Sequence, residues 1–190
     1  FIHSTFNNTI VTISDNEAYL RQISKYVDIN NDTEFEENIK RLKEYCTSND
    51  VLALAAVQIG IPKRLVYLKN TNLELIKKIQ NDTFTEEDKK YDESKILINP
   101  IILKKEGLTE YWETCASCLD NCGLVERPYK IEVEYDDILG QKHIQNFEGF
   151  EATVLSHELD HLDGILHIDI AKEIRVMPYE ERKIFRRTHG

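Results

Sequence analysis

Apolar residues recur along this chain with two different spacings. Phe35, Ile39, Leu42 and Cys46 fall three or four apart, which predicts a helix with one buried stripe. Thr33 and Glu36 form a capping-box pattern that opens it, and Ser48-Asn49-Asp50 closes it. A second stripe, Ala152, Leu155, Leu159 and Leu162, predicts a helix that starts near Phe150 and carries His157 and His161. A last helix is predicted from about Pro178. Runs rich in β-branched or alternating residues predict strands at 9–14, 64–69, 96–103, 130–135, 142–147 and 165–168. The strands at 130–135 and 142–147 are joined at Asp136–Gly140 as a hairpin, and Asp15–Ser24 reads as a turn and a short helical piece. Residues 70–94 are polar and charged, a surface insertion with a short helix at Leu73–Ile79. Strands early, one central helix late and no βαβ alternation place the chain in the α+β class, as one domain over residues 1–190. Antiparallel or mixed sheets are expected to pack around the central helix, with a C-terminal helix outside them.

Composition narrows the partners more than the fold. The 190 residues are 41% apolar and 31% charged, with a net charge of −10. That balance argues against a nucleic-acid surface spread over the chain. No apolar run approaches the roughly 20 residues a membrane helix needs. The start, Phe1 to Phe6, lacks the charged and apolar regions of a signal peptide, but the chain does not begin with Met, which leaves a removed organelle leader open. Of four cysteines, Cys115, Cys118 and Cys122 lie within eight residues, while Cys46 falls on a helix stripe and reads as core. Such clustering suits a reducing compartment and a metal ligand better than a disulfide framework.

The chemistry starts at His157-Glu158-Leu159-Asp160-His161. Two histidines four apart on a helix can reach one metal ion, and Glu158 then sits beside the open coordination position as an acid–base. The helix alone leaves the third ligand open. His167 would complete the long three-histidine pattern of zinc endopeptidases, with Gly164 as its turn. Glu180 would serve as a thermolysin-like carboxylate, and Cys115 or Cys118 as a thiolate. Gln58, the lone polar side chain in Leu52–Pro62, needs a partner or a task if buried, and its amide suits an oxyanion.

Three blocks then resemble the peptide deformylases. Leu54-Ala55-Ala56-Val57-Gln58-Ile59-Gly60 is similar to that family's Gly-x-Gly-x-Ala-Ala-x-Gln motif. Glu113-Thr114-Cys115-Ala116-Ser117 is similar to Glu-Gly-Cys-Leu-Ser, and His157–Gly164 supplies the third block. Leu97–Pro100 and Leu124–Pro128 lie between them in the family's order. Val51 and Ala53 stand where the family has glycines, and Val57, Thr114 and Ala116 also depart from its pattern. A side chain at 53 is expected to crowd the substrate strand along this backbone. Cys118-Leu119 offers a second alignment of the cysteine block, but Cys115 keeps the spacing to Glu113 and Arg127.

The resemblance implies a metal-dependent hydrolase that removes the N-formyl group from the formylmethionine of nascent polypeptides. Cys115, His157 and His161 would hold one divalent metal, Fe2+ in the cell with Zn2+, Ni2+ or Co2+ as replacements. Glu158 would act as general acid–base on metal-activated hydroxide, and Gln58 with the Ala116 backbone N–H would meet the oxyanion. Glu113 would pair with Arg127 behind the site. Leu52, Ala53, Tyr111, Thr153 and Val154 would receive the methionine side chain. For the basic run Arg182–Arg187 the resemblance implies a ribosome contact, beside the plain reading of a solvated helix end, and the family works in bacterial cytoplasm and in organelles. The alternatives are a deformylase-like protein of weak or altered activity and the three-histidine zinc endopeptidase.

Overall fold

Alternating and helical stripes resolve into two antiparallel sheets, with a buried helix packed against the first. The computed structural model describes residues 10–69, 85 and 95–189. The strands are β1 (Ala53–Ala55), β2 (Leu65–Leu68), β3 (Lys95–Glu106), β4 (Thr109–Glu113), β5 (Asn121–Arg127), β6 (Lys130–Asp136), β7 (Lys142–Glu148) and β8 (Glu173–Val176). The helices are α1 (Ile13–Leu20), α2 (Phe35–Ser48), α3 (Gly149–Leu162), α4 (His167–Ile170) and α5 (Tyr179–His189). One sheet runs β1-β2-β3-β6-β7 and the other β4-β5-β8. The α+β expectation holds. The expected insertion at 70–94 and its helix at Leu73–Ile79 lie outside the described residues apart from Thr85, as do the side chains of Lys183, Arg186 and Arg187. Among the described residues no helix is long and apolar enough to cross a membrane.

The core forms because each strand turns alternate side chains to opposite faces. Ala53 and Ala55 enter a cluster with Ile131, Val133 and Phe147, and α3 covers it with Val154, Leu155, Leu159 and Leu162. Leu54, between them, enters a second cluster with Ile39, Leu42 and Cys46 of α2. Each fully buried Leu side chain contributes about 2 kcal/mol by leaving water. Helix α3 is buried on nearly all sides from Ala152 to Leu159, so its polar residues face protein and must find partners there.

Three local expectations fail, each for a backbone reason. Residues 9–14 were expected to be a strand, but Thr12 caps α1, its Oγ1 accepting from the Asp15 N–H at 3.2 Å. That bond satisfies an orphan donor of the first turn, and the run's β-branched residues then supply apolar anchors such as Ile10. Helix α2 does not use the Thr33–Glu36 box: Asp32 Oδ1 instead accepts from the Glu34 N–H at 2.9 Å. The expected strand at 165–168 is interrupted by α4, because Asp169 Oδ2 reaches back to the Leu166 N–H at 2.9 Å. The strand of this region is β8, paired antiparallel to β5. Strands β4 and β5, which flank the cysteine loop, have mixed polar and apolar residues and were not anticipated.

The end of α3 is fixed by Gly164 and Arg64. Arg64 Nη1 donates to the Leu162 carbonyl at 3.2 Å, and Nη2 pairs with Asp163 at 3.0 Å, placing a cation where helix carbonyls are unpaired. Gly164 has φ +74°, and a Cβ there would lie 2.2 Å from the Arg21 carbonyl oxygen. Gly164→Ala is therefore expected to cost about 2 kcal/mol or more in urea denaturation. Gly60→Ala, at φ +86° with open space around it, carries only the backbone cost. Equal losses at the two positions would show that the close approach at Gly164 is relieved without strain.

Candidate metal centre

Sheet and helix bring the sequence-distant chemistry together at one buried place. Ligand atoms of Cys115, His157 and His161 all lie within 4.8 Å of one another, and all three residues are buried. Cys115 leaves the end of β4 and precedes a 3-10 turn, Ala116–Cys118. His157 and His161 lie one turn apart on α3, their rings edge to face with centroids 5.1 Å apart. Cys115 Sγ lies 3.4 Å from His161 Nε2. A hydrogen bond with the Cys118 thiol holds the Cys115 thiol well below its ordinary pKa; burial opposes this, and the nearby imidazoles assist it. A thiolate and two imidazoles are a donor set suited to a divalent transition metal.

The residues behind these ligands are more heavily bonded than the ligands themselves. Glu113 Oε1 accepts from His157 Nδ1 at 2.8 Å. That bond puts the proton on Nδ1 and leaves Nε2 to a metal. Arg127 Nε and Nη2 donate to the two Glu113 oxygens at 2.7 and 2.9 Å, and Nη1 donates to Asp160 Oδ2 at 2.8 Å. Burial pushes the Glu113 carboxyl up, but the bonds from His157 and Arg127 outweigh it and hold the group at about 2. The expected Glu113–Arg127 pair is thus present, and Asp160 extends it to a third charge. Asp160 lies one turn on from His157 at i,i+3, a position that could have marked it in the sequence.

Gln58 sits in a second 3-10 turn, Ala56–Ile59, and is wholly buried. Its Oε1 accepts from the Ala55 N–H at 3.2 Å, which turns the NH2 the other way. That NH2 donates to Ser117 Oγ at 3.0 Å and to Cys115 Sγ at 3.4 Å. Ser117 was part of a motif but not picked as a partner of Gln58, because spacing alone cannot show a contact between two loops. Glu158 is wholly buried beside His157, with Oε1 3.9 Å from His157 Nε2.

Other expected site residues are not part of this donor group. His167 is buried, and its Nε2–H donates to the Asn121 carbonyl at 3.1 Å. It lies outside the three-residue donor group, so the three-histidine arrangement is not formed. Ala53 is fully buried in the main core cluster. Val154 and the half-buried Leu52 join the same cluster, and Thr153 is fully buried on α3. Tyr111 stands on the other sheet with its ring edge-on to Phe150 at 5.6 Å.

Two outcomes follow from the charges. Arg127→Ala leaves Glu113 buried without its guanidinium and is expected to cost about 3–5 kcal/mol in chemical denaturation, whereas Asp160→Asn, at a half-exposed rim, costs about 1 kcal/mol or less. His167 is held down at about 4, chiefly by burial. The unfolded chain takes up its proton near pH 6.5 and the folded chain does not. The stability His167 contributes is therefore whole above pH 6.5 and lost as pH falls from there to about 4. Replacing it by Phe should flatten the stability profile over that window.

Comparison with known proteins agrees with the geometry. The polypeptide deformylase family model matches residues 8–176. A peptide deformylase of Pelagibacter ubique is 34% identical over 164 residues, covering 86% of each chain. The crystal structure of a Synechococcus elongatus peptide deformylase in complex with actinonin superposes with a TM-score of 0.69 at 29% identity, covering 90% of this chain and 86% of that one. The Thermotoga maritima peptide deformylase gives 0.68 at 27% identity, covering 90% and 100%. The chain belongs to the polypeptide deformylase family.

Proposed function

We propose that this enzyme removes the formyl group from the N-terminal formylmethionine of new polypeptides, using Cys115, His157 and His161 to hold its metal. The Gln58 amide carries this reading, because its NH2 points at Ser117 and Cys115 from a wholly buried position. Its NH2 is the proposed oxyanion donor beside the metal-binding trio. Fe2+ is the proposed native ion, with Zn2+, Ni2+ and Co2+ able to replace it. When bound, such an ion supplies Lewis acidity and lowers the pKa of water towards neutrality.

The chain's own residues supply the remainder. Glu158 takes a proton from the attacking water and later gives it to the departing amine. Water adds its oxygen to the formyl carbon, the C–N bond breaks, and formate and a free α-amine leave. Gln58 NH2 and the Ala116 backbone N–H donate to the oxygen that becomes negative. Glu113 keeps His157 in the tautomer that presents Nε2. Leu52, Ala53, Tyr111, Thr153 and Val154 are the proposed surroundings of the methionine side chain. Ribosome contact through Arg182–Arg187 on α5 and a place in the bacterial cytoplasm, or in an organelle, fit a substrate that arises during translation.

The test is formate release from formyl-Met-Ala-Ser, with metal counted per chain. Cys115→Ser is expected to lose metal and activity together. Glu158→Ala should keep metal and lose activity, and Gln58→Ala should lower kcat about 10²–10³-fold. Full metal content and full activity in Cys115→Ala would exclude this assignment. Casein cleavage that depended on His167 and not on Cys115 would favour an endopeptidase instead.

A further inference from the structure

Cys118 is a buried nucleophile that deformylation does not use. It is fully buried in a small apolar cluster with Leu20, Cys115 and Leu166, and it is not one of the three metal-binding residues. It shares that cluster with Cys115, three residues earlier in the chain. The backbone explains why. Cys115 precedes the 3-10 turn and Cys118 ends it, the Cys118 N–H donating to the Cys115 carbonyl at 2.9 Å. A turn closed in this way brings its first and last Cα within about 7 Å, where disulfides form at about 4.4–6.8 Å. Cys-x-x-Cys spacing on a short helical turn is also the arrangement that makes one thiol attacking and the other resolving. All four cysteines of the chain are free thiols in the structure.

We propose that Cys115 and Cys118 form a reversible oxidation site, in which a hydroperoxide drives a disulfide that withdraws the metal-binding sulfur. The Cys115 sulfur attacks the peroxide O–O bond and takes one oxygen to become a sulfenic acid, and the other oxygen leaves as water with the Cys115 thiol proton. The Cys118 thiol then attacks the sulfenic sulfur. An S–S bond forms, the S–O bond breaks, and a second water departs with the thiol proton. In sum, two thiols are oxidised and one hydrogen peroxide is reduced to two waters. A sulfur engaged in a disulfide is no longer a thiolate, and metal release follows. Cys118 thereby diverts Cys115 from the irreversible acids further along the oxidation ladder. The consequence for the metal rests on Cys115 being its ligand; the disulfide itself does not.

The experiment exposes the full-length metal-loaded chain and a metal-free sample to hydrogen peroxide. Intact mass, cysteine peptide maps and released metal, captured by a chromogenic chelator, are then followed. The unmodified chain is expected to lose about 2 Da, the two hydrogens of a disulfide, to release metal, and to recover both thiols and metal binding after dithiothreitol and fresh metal. Cys118→Val, or Cys118→Ala if valine crowds the cluster, should show no such loss. Its Cys115 should instead gain oxygens that dithiothreitol does not remove. Oxygen gain at Cys115 in the unmodified chain to the same extent as in the variant overturns the proposal, as does a disulfide mapped to Cys118 and Cys122. A Cys115–Cys118 disulfide that leaves metal affinity unchanged overturns the switch through the ligand assignment. An absent disulfide in a chain that does hold metal through Cys115 overturns the switch alone and leaves the deformylase reading standing.

Discussion

A carboxylate sealed inside a protein must be met by positive charge and donors, and the Glu113 carboxylate sets the terms for everything around it. It sits at the end of β4 and is held from two directions. Arg127, at the end of β5, grips both oxygens, and His157 of α3 donates to one of them. Arg127 then reaches Asp160 on α3. The three-stranded sheet and the central helix are thereby pinned to each other through charges rather than through apolar contact alone. The same bonds decide which nitrogen of His157 carries its proton. Stability and metal readiness rest on one group, so neither can be altered there without the other.

The helix that carries the histidines illustrates the cost of placing chemistry in a core. Helix α3 buries Ala152, Val154, Leu155, Leu159 and Leu162 against the five-stranded sheet, and His157, Glu158 and His161 are equally buried. A helix of this kind cannot leave its polar groups to water, so the protein supplies partners from far along the chain: Glu113, Cys115 and Arg127 from the cysteine loop and its strands. Gln58, from the first motif, joins that loop through Ser117 and Cys115. Long-range pairing of this sort makes the site precise, and it makes each loop depend on the others for its shape.

What could be read from the sequence follows from how local each signal is. The α3 stripe, the hairpin of β6 and β7 and the α2 stripe are periodic over many residues, and all three form. Gln58 stood out as a lone amide in an apolar run, the two histidines by their four-residue spacing on a helix stripe, and Cys115 through the resemblance of its block. Capping misled where it is decided by one hydrogen bond: Thr12, Asp32 and Asp169 each settled a helix start that β-branched or box patterns had placed elsewhere. Strands β4 and β5 were missed because they border the site, and their residues were chosen for charge pairing instead of alternation. The contact between Gln58 and Ser117, and that between Cys118 and Cys115, were invisible for another reason, since the first joins two loops and the second depends on a turn whose geometry no composition states.

Strand β5 carries Gly123, and a Cβ there would meet the Ala171 Cβ at 2.9 Å and His167 Cδ2 at 3.1 Å. The imidazole behind the metal centre occupies the volume that a side chain at 123 would need. A side chain at 123 therefore requires positions 167 and 171 to give way. A lineage can enlarge residue 123 only after position 167 has shrunk or rotated away and residue 171 has given ground. The reverse order passes through a chain whose β5–α4 contact is broken. Such ordering constrains the back of the site through residues that lie outside the donor group of Cys115, His157 and His161.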